Sequence, residues 1–328
     1  MPVKSGYERL AFRRKGGVIL NENYRAPSVN GLALLTLINQ DDLDSGGAVL
    51  YSLIDGAKFP GLGRIKLPSN GSVELHSLLG ESAQIDAMYA GPILLRHARR
   101  EHCPVLAKLL NTAESAHFLS LIVSDEPLPN LLGRLIWLTD VAHDDGTEWV
   151  MRYYDPLILP HWLEVLDVAQ REVALAGIRA WLYIDVRGRP QTVGGNEGEV
   201  PAGVGNKPML LNQHQCDELM NRTLPYMVMH QLESDDPQAL TALSPYDRYD
   251  FFSQQLDKAY AYGLVSPTDL KSYCMLSLMF GTTVDMADLV ATALKGGDSQ
   301  QSFSERILGW TPQQWASLEV RSFPVSRS

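Results

Sequence analysis

Cysteine is scarce in this sequence, basic residues are outnumbered, and no long apolar run occurs. Only Cys103, Cys216 and Cys274 are found among 328 residues. Three scattered thiols cannot build a disulfide framework, and they fit a reducing compartment. Lys plus Arg total 28 against 38 Asp plus Glu, a net charge of −10. Phosphate contact needs a basic face, so this balance argues against a nucleic-acid partner. It argues equally against docking on an anionic membrane. Apolar runs such as residues 31–38 fall far short of the ~20 residues that span a bilayer. Arg13, Arg14 and Lys15 near the N-terminus are followed by too few apolar residues to form a signal-peptide core. The expectation is a soluble, cytoplasmic protein.

Catalytic and nucleotide motifs are missing too. No Gly-x-Ser-x-Gly elbow occurs, so the common serine-hydrolase nucleophile is unsupported. No His-Glu-x-x-His occurs. In Gly203-Val204-Gly205-Asn206-Lys207-Pro208 the Lys meets a Pro where a phosphate loop needs a magnesium-binding hydroxyl and a helix start. Gly194-Gly195 and Gly198 follow no strand signal, so they fail as a dinucleotide fingerprint. No cofactor is expected.

What is present divides into two parts. With 45% hydrophobic residues, the chain is long enough for two domains. Apolar runs at 48–54, 91–96, 117–123 and 177–184 read as strands. Helical spacing at 29–40, 101–113, 127–138 and 157–170 falls between them. Asp144-Asp145-Gly146 joins the strand-like runs 134–142 and 147–154 as a hairpin, because Asp-Gly accepts the positive φ such turns need. This predicts an α/β N-terminal lobe, a mixed sheet flanked by helices, over residues 1–185. Residues 186–208 are rich in Gly and Pro and read as a linker or loop. Residues 209–320 carry helical patterns at 212–232, 246–262, 267–280, 285–295 and 311–319, a smaller all-α lobe. Pro225 is expected to kink or end the first of these. Residues 321–328 read as a tail.

Several residue groups invite a chemical reading, each with a plainer one beside it. His97, His102 and Cys103 form the densest potential metal cluster, and His214 with Cys216 a second pair. Neither shows zinc-ligand spacing, and surface histidines beside a buried thiol explain them as well. Arg96, Arg99 and Arg100 form a local basic patch suited to an acidic partner or to solvent. Asp144 and Asp145 pair either for acid/base work or, more simply, for turn hydrogen bonding. Asp140 with His143 resembles a base and its orienter but lacks a nucleophile. In residues 149–156, period-two spacing places Arg152 and Tyr154 on one strand face. Asp155-Pro156 then serves as a cap and first helical turn. Arg152 is long enough to pair with Asp55 or Asp155.

Four segments carry a family resemblance. Residues 50–57 (LYSLIDGA) resemble the Tyr-x-Leu-x-Asp-Gly-Ala opening of bacterial type VI secretion effector adaptors, also called effector chaperones. Residues 90–94 (AGPIL) resemble their Ala-Pro-Tyr-Leu segment, with Gly91 and Ile93 departing from it. Residues 152–156 (RYYDP) resemble Arg-Phe-Tyr-Asp-Pro, with Tyr153 in place of Phe. Residues 177–181 (GIRAW) are similar to the closing strand. A looser likeness links Tyr262-Gly263-Leu264, Asp269-Leu270 and Phe280-Gly281 to the helical lobe that follows.

The resemblance implies a non-catalytic role: binding a cognate secreted effector and helping load it onto the VgrG spike, from within the producing cell. It supplies no catalytic, cofactor-binding or metal residues. Tyr51, Asp55, Gly56, Pro92, Arg152, Tyr154, Asp155, Pro156 and Trp181 are its signature positions here and are expected to be structural. Partner contacts are expected at aromatics of the helical lobe, with Tyr246, Tyr249, Phe252 and Tyr262 as candidates, and at the inter-lobe groove. The alternative is an enzyme with a dispersed active site around Asp55, Arg152 and Asp155, which needs no local motif. A structural subunit of the secretion apparatus is a third reading.

Overall fold

The computed structural model describes residues 29–38, 47–59, 65–79, 89–98, 103–112, 117–195, 207–296 and 301–319. The chain divides into two units, Met1–Leu219 and Met220–Ser328. Among the described residues no helix is long and apolar enough to cross a membrane.

The first unit is built on six strands: β1 (Val49–Asp55), β2 (Val73–Ser77), β3 (Pro92–His97), β4 (Leu119–Ser124), β7 (Ile178–Ile184) and β8 (Pro190–Gly194). They run in the order β2-β3-β1-β4-β7-β8, and every neighbouring pair is antiparallel. The central strands read as continuous apolar runs because both of their faces are buried. Side chains alternate across a strand, and the alternation here divides two cores. Leu50 and Ile54 of β1 face one core with Leu95, Leu121 and Leu182. Tyr51 and Leu53 face the other with Leu94, Ile122 and Trp181. Helices α1 (Val29–Ile38) and α2 (Pro104–Thr112) cover the first face through Leu34, Ile38, Leu106 and Leu109. Helices α3 (Leu128–Trp137), α4 (Leu159–Val165) and α5 (Val168–Leu175) cover the second through Leu131, Leu135, Trp162 and Leu175. Helices on both faces of one sheet are the layered arrangement the alternation of elements predicts.

A second, three-stranded sheet lies against the same core. The expected hairpin is there: β5 (Asp140–His143) and β6 (Glu148–Val150) pair antiparallel, with Gly146 at φ 85° in the turn. Strand β9 (Met209–Leu211) adds to β5 in parallel, which makes this sheet mixed.

In the second unit the regular elements among the described residues are all helices. The helices are α6 (Gln213–Asp235, which begins in the first unit), α7 (Arg248–Ala261), α8 (Pro267–Phe280), a 3₁₀ turn (Val284–Met286), α9 (Asp288–Lys295), α10 (Phe303–Leu308) and α11 (Pro312–Glu319). Phe252, Leu256, Leu270, Leu276, Val290 and Phe303 close its core. Local signals start these helices. Ser266 caps α8 by accepting from the Asp269 N–H, with Pro267 in the first turn. Ser302 and Glu305 form a capping box on α10, a helix the hydrophobic pattern alone does not reveal.

The structure corrects four expectations. The segment 186–208 is not simply a linker, because β8 occupies 190–194 and pairs with β7. Its polar, half-exposed residues form an edge strand, which carries no apolar signal. The helical unit begins at Met220 and not at 209, since β9 and the first turns of α6 belong to the first unit. Of the two outcomes expected at Pro225, the helix end is overturned, because Pro225 lies inside α6, which continues to Asp235. The strand read across 149–156 ends at Val150, and Arg152 to Ile158 form turns.

Candidate functional site

Three of the signature positions, Asp55, Arg152 and Asp155, meet at one end of the six-stranded sheet. Asp55 is the last residue of β1 and is only 1% exposed. Its backbone N–H donates to the Phe118 carbonyl at 2.8 Å, which fixes the strand end. One carboxylate oxygen accepts from the Ala57 N–H at 3.2 Å. The other accepts from Arg152 Nη2 at 2.7 Å. The same Nη2 lies 3.8 Å from Asp155 Oδ2. Asp155 Oδ1 accepts from Lys58 Nζ at 2.7 Å and from the Leu157 N–H at 3.0 Å. Two buried carboxylates therefore hold two partly exposed cations, with the Arg152 side chain 49% and that of Lys58 31% exposed. The Arg152 guanidinium also lies 6.0 Å from the ring centre of Tyr154. Burial alone would lower the Arg152 pKa, but the charges of Asp55 and Asp155 hold it above the ordinary value. Tyr154 is pushed up by burial, against the opposing pull of Arg152.

Of the other signature residues, Gly56, Pro92 and Pro156 adjoin this corner, whereas Tyr51 and Trp181 lie within the sheet. Gly56 donates its N–H to the Gly91 carbonyl at 3.1 Å. A Cβ at Gly56 would fall 2.1 Å from the Tyr89 carbonyl oxygen and 2.5 Å from that of Gly91, so only glycine fits. Pro92 pairs with Asp55 across β1 and β3. It stands at the first position of its strand, where its missing donor costs least. Tyr51 is buried, and burial raises its pKa against a hydrogen bond from Arg96. Trp181 is fully buried, donates to Ser120 Oγ at 3.0 Å and meets the Tyr153 ring edge-on at 5.9 Å. Pro156 is buried in the turn that leads into α4.

Chemically, the cluster is a closed ion network. Of the four oxygens of Asp55 and Asp155, three accept a hydrogen bond and the fourth faces Arg152. Such carboxylates orient the two cations beside them. The pairing of Arg152 with Asp55 and Asp155 is the one its length and position predict. Lys58 was missed, although it follows Asp55-Gly56-Ala57 directly; a cation just beyond a strand-end Asp was the available signal.

The remaining candidates are placed as follows. His97 is 2% exposed and so is not a surface histidine. It links Ser52 Oγ (2.8 Å from Nε2) to Cys103 Sγ (3.3 Å from Nδ1) inside the core. Burial pushes its pKa down to about 4, so it is neutral near pH 7. Burial likewise raises the Cys103 thiol. His102, Arg99, Arg100, Asp41, Asp42 and Asp44 lie outside the described residues. Arg96 donates to Glu74 at 2.8 Å. Cys216 is buried while His214 is exposed. Asp145 accepts from the N–H and hydroxyl of Thr147 at 2.9 and 2.7 Å, the turn role. Asp140 faces the Thr139 hydroxyl, 3.4 Å away. Among the described residues no three His, Cys, Asp or Glu side chains gather as a metal site.

The four aromatics proposed for partner contact separate on burial. Tyr246 and Tyr262 are 45% and 44% exposed, and the Tyr262 hydroxyl donates to Asp285 Oδ2 at 2.9 Å. Tyr249 is half-buried, donates to the Arg222 carbonyl at 3.1 Å and packs against Tyr226. Phe252 is fully buried in the core of the second unit and offers a partner nothing. Sequence spacing does not separate these roles, because all four fall in or beside one amphipathic helix.

No curated protein and no solved structure matches the chain. A family model does match part of it: residues 50–173, from β1 into α5, are similar to the domain of unknown function DUF4123, and this stretch contains Asp55, Arg152 and Asp155.

Proposed function

We propose that the chain is a non-catalytic adaptor that binds a cognate type VI secretion effector and helps load it onto the VgrG spike, acting in the cytoplasm of the producing cell. One observation carries the reading. Three signature residues, Asp55, Arg152 and Asp155, meet with Lys58 in a single ion network in which three of the four carboxylate oxygens accept hydrogen bonds. That arrangement supports a structural role for these three residues, and recognition of a partner is the function we propose for the chain. The six-stranded unit then serves as a rigid base and the helical unit as a presenting surface.

The test is a pull-down of the tagged chain from its native cell with the secretion system expressed. The expected result is recovery of a large effector in near-stoichiometric amount, with VgrG in the same complex. A clean preparation with no partner under those conditions overturns the adaptor reading. The half-exposed Arg152 beside buried Asp55 is what keeps the enzyme alternative in play. Arg152→Gln separates the two readings. Loss of stability together with partner capture fits the scaffold, whereas an intact fold that has lost a measurable turnover fits the enzyme.

A further inference from the structure

We propose that a cleft between α6 and α7 receives a basic amphipathic helix of a partner protein, seating one apolar side chain beside a lysine or arginine head. This deepens the partner-binding reading above and rests on it. The cleft holds about 360 Å³ and lies wholly within the second unit. Leu224 and Leu256 give it an apolar lining, and Pro225, Asn221, Asp257 and Tyr260 complete most of the wall. Pro225 stands inside α6 and has no N–H, so the Asn221 carbonyl lacks the donor a regular helix would give it. Asp257 is exposed and makes no ion pair among the described residues. The lining thus includes one carboxylate, Asp257, and no cation. An acidic segment would set like charges together there, while an ammonium or guanidinium group is complementary to the carboxylate.

The rim specifies the rest of the occupant. Met220, Leu224 and Met227 recur at i, i+4 and i+7, on one face of α6. Met220 and Met227 are 61% and 53% exposed, and Tyr260 on α7 is 41% exposed. Exposed methionines adapt to differently shaped apolar side chains, and an apolar stripe beside a cleft suits an amphipathic helix laid along it. Charge complementarity fixes the sign of that helix. None of the four aromatics named from sequence lines this cleft; Tyr260, about two turns beyond Phe252 on α7, does.

The experiment titrates the full chain into a fluorescein-labelled probe helix of about 18 residues, five turns long. One probe carries leucines on one face and lysines on the other; its counterpart replaces every lysine by glutamate. Binding is read as anisotropy, and circular dichroism checks each variant for folding. The expected result is binding of the lysine probe and none of the glutamate probe. Asp257→Lys should weaken binding about tenfold, and Tyr260→Ser by several fold, as truncation of an interface residue does. Glu148→Lys makes the same charge change in the first unit and should leave affinity within about twofold. Equal loss in Asp257→Lys and Glu148→Lys would reveal general attraction to an acidic protein and overturn the proposal. So would failure of the wild-type chain to bind the lysine probe, or sedimentation showing a second copy of the chain in the cleft. A native pull-down keeps the two readings apart. Effector captured equally by wild type and Asp257→Lys overturns the cleft and leaves the adaptor, whereas an empty wild-type pull-down overturns the adaptor alone.

Discussion

Arg152 is half-exposed, yet its partner Asp55 is almost wholly buried, and that asymmetry decides what each mutation does. Removing the arginine strands a buried carboxylate, the costly half of a broken pair. Arg152→Gln is expected to lower unfolding free energy by about 3 kcal/mol, read from urea midpoints. Lys58→Gln leaves Asp155 with the Leu157 N–H and with Arg152 nearby, and should cost less, about 1 kcal/mol. A second prediction concerns pH. Burial pushes both His97 and His117 down to about 4, with the charge of Lys58 adding to the effect at His117. Unfolded histidine titrates near 6.5. Stability contributed by the neutral rings is therefore full above about pH 6.5 and is lost as pH falls toward 4. The loss approaches ~1.4 kcal/mol per pH unit per ring. Urea midpoints measured across that range should fall, and His97→Gln should reduce the slope. The Arg152 pairing was legible because one long side chain and two nearby acids allow few arrangements. The Ser52–His97–Cys103 chain was not legible, because it depends on the register that sets Ser52 opposite Leu95, two residues from His97.

Elements with strong punctuation were readable from sequence alone. The Asp144-Asp145-Gly146 turn, the Ser266-Pro267 start of α8 and the apolar strands β1, β4 and β7 all lie within a few residues of where the pattern placed them. Edge strands were not readable. Strands β2 and β8 lie at the two ends of the sheet, and their half-exposed residues carry no continuous apolar run. Two substitutions test the local logic. Gly56→Ala pushes a methyl group against two backbone carbonyls at the end of β1 and should cost about 1–3 kcal/mol, measured by thermal melting. Ser266→Ala removes the cap of α8 and should cost about 1 kcal/mol by the same measurement.

At the scale of the molecule, the two-part plan was visible in the loss of strand patterns after residue 185, but the boundary was not. Gly- and Pro-rich composition placed it near 186–208, whereas β9 and the start of α6 return chain to the first unit. Met209, Leu211, Cys216 and Leu219 are buried in the second core. A fragment ending at residue 219 should therefore fold cooperatively, and one ending at residue 208 should not, as followed by circular dichroism and urea unfolding. The parallel pairing of β9 with β5 has a further consequence, in synthesis. Val141 meets Met209 only after the intervening chain has left the ribosome. Contacts between residues so far apart in sequence form late and slowly. Until that closure the nascent first unit carries an unpaired edge at β5 and an uncovered apolar face. Substitutions in β9 should thus reduce the yield of soluble chain at expression far more than they lower the melting temperature of what survives.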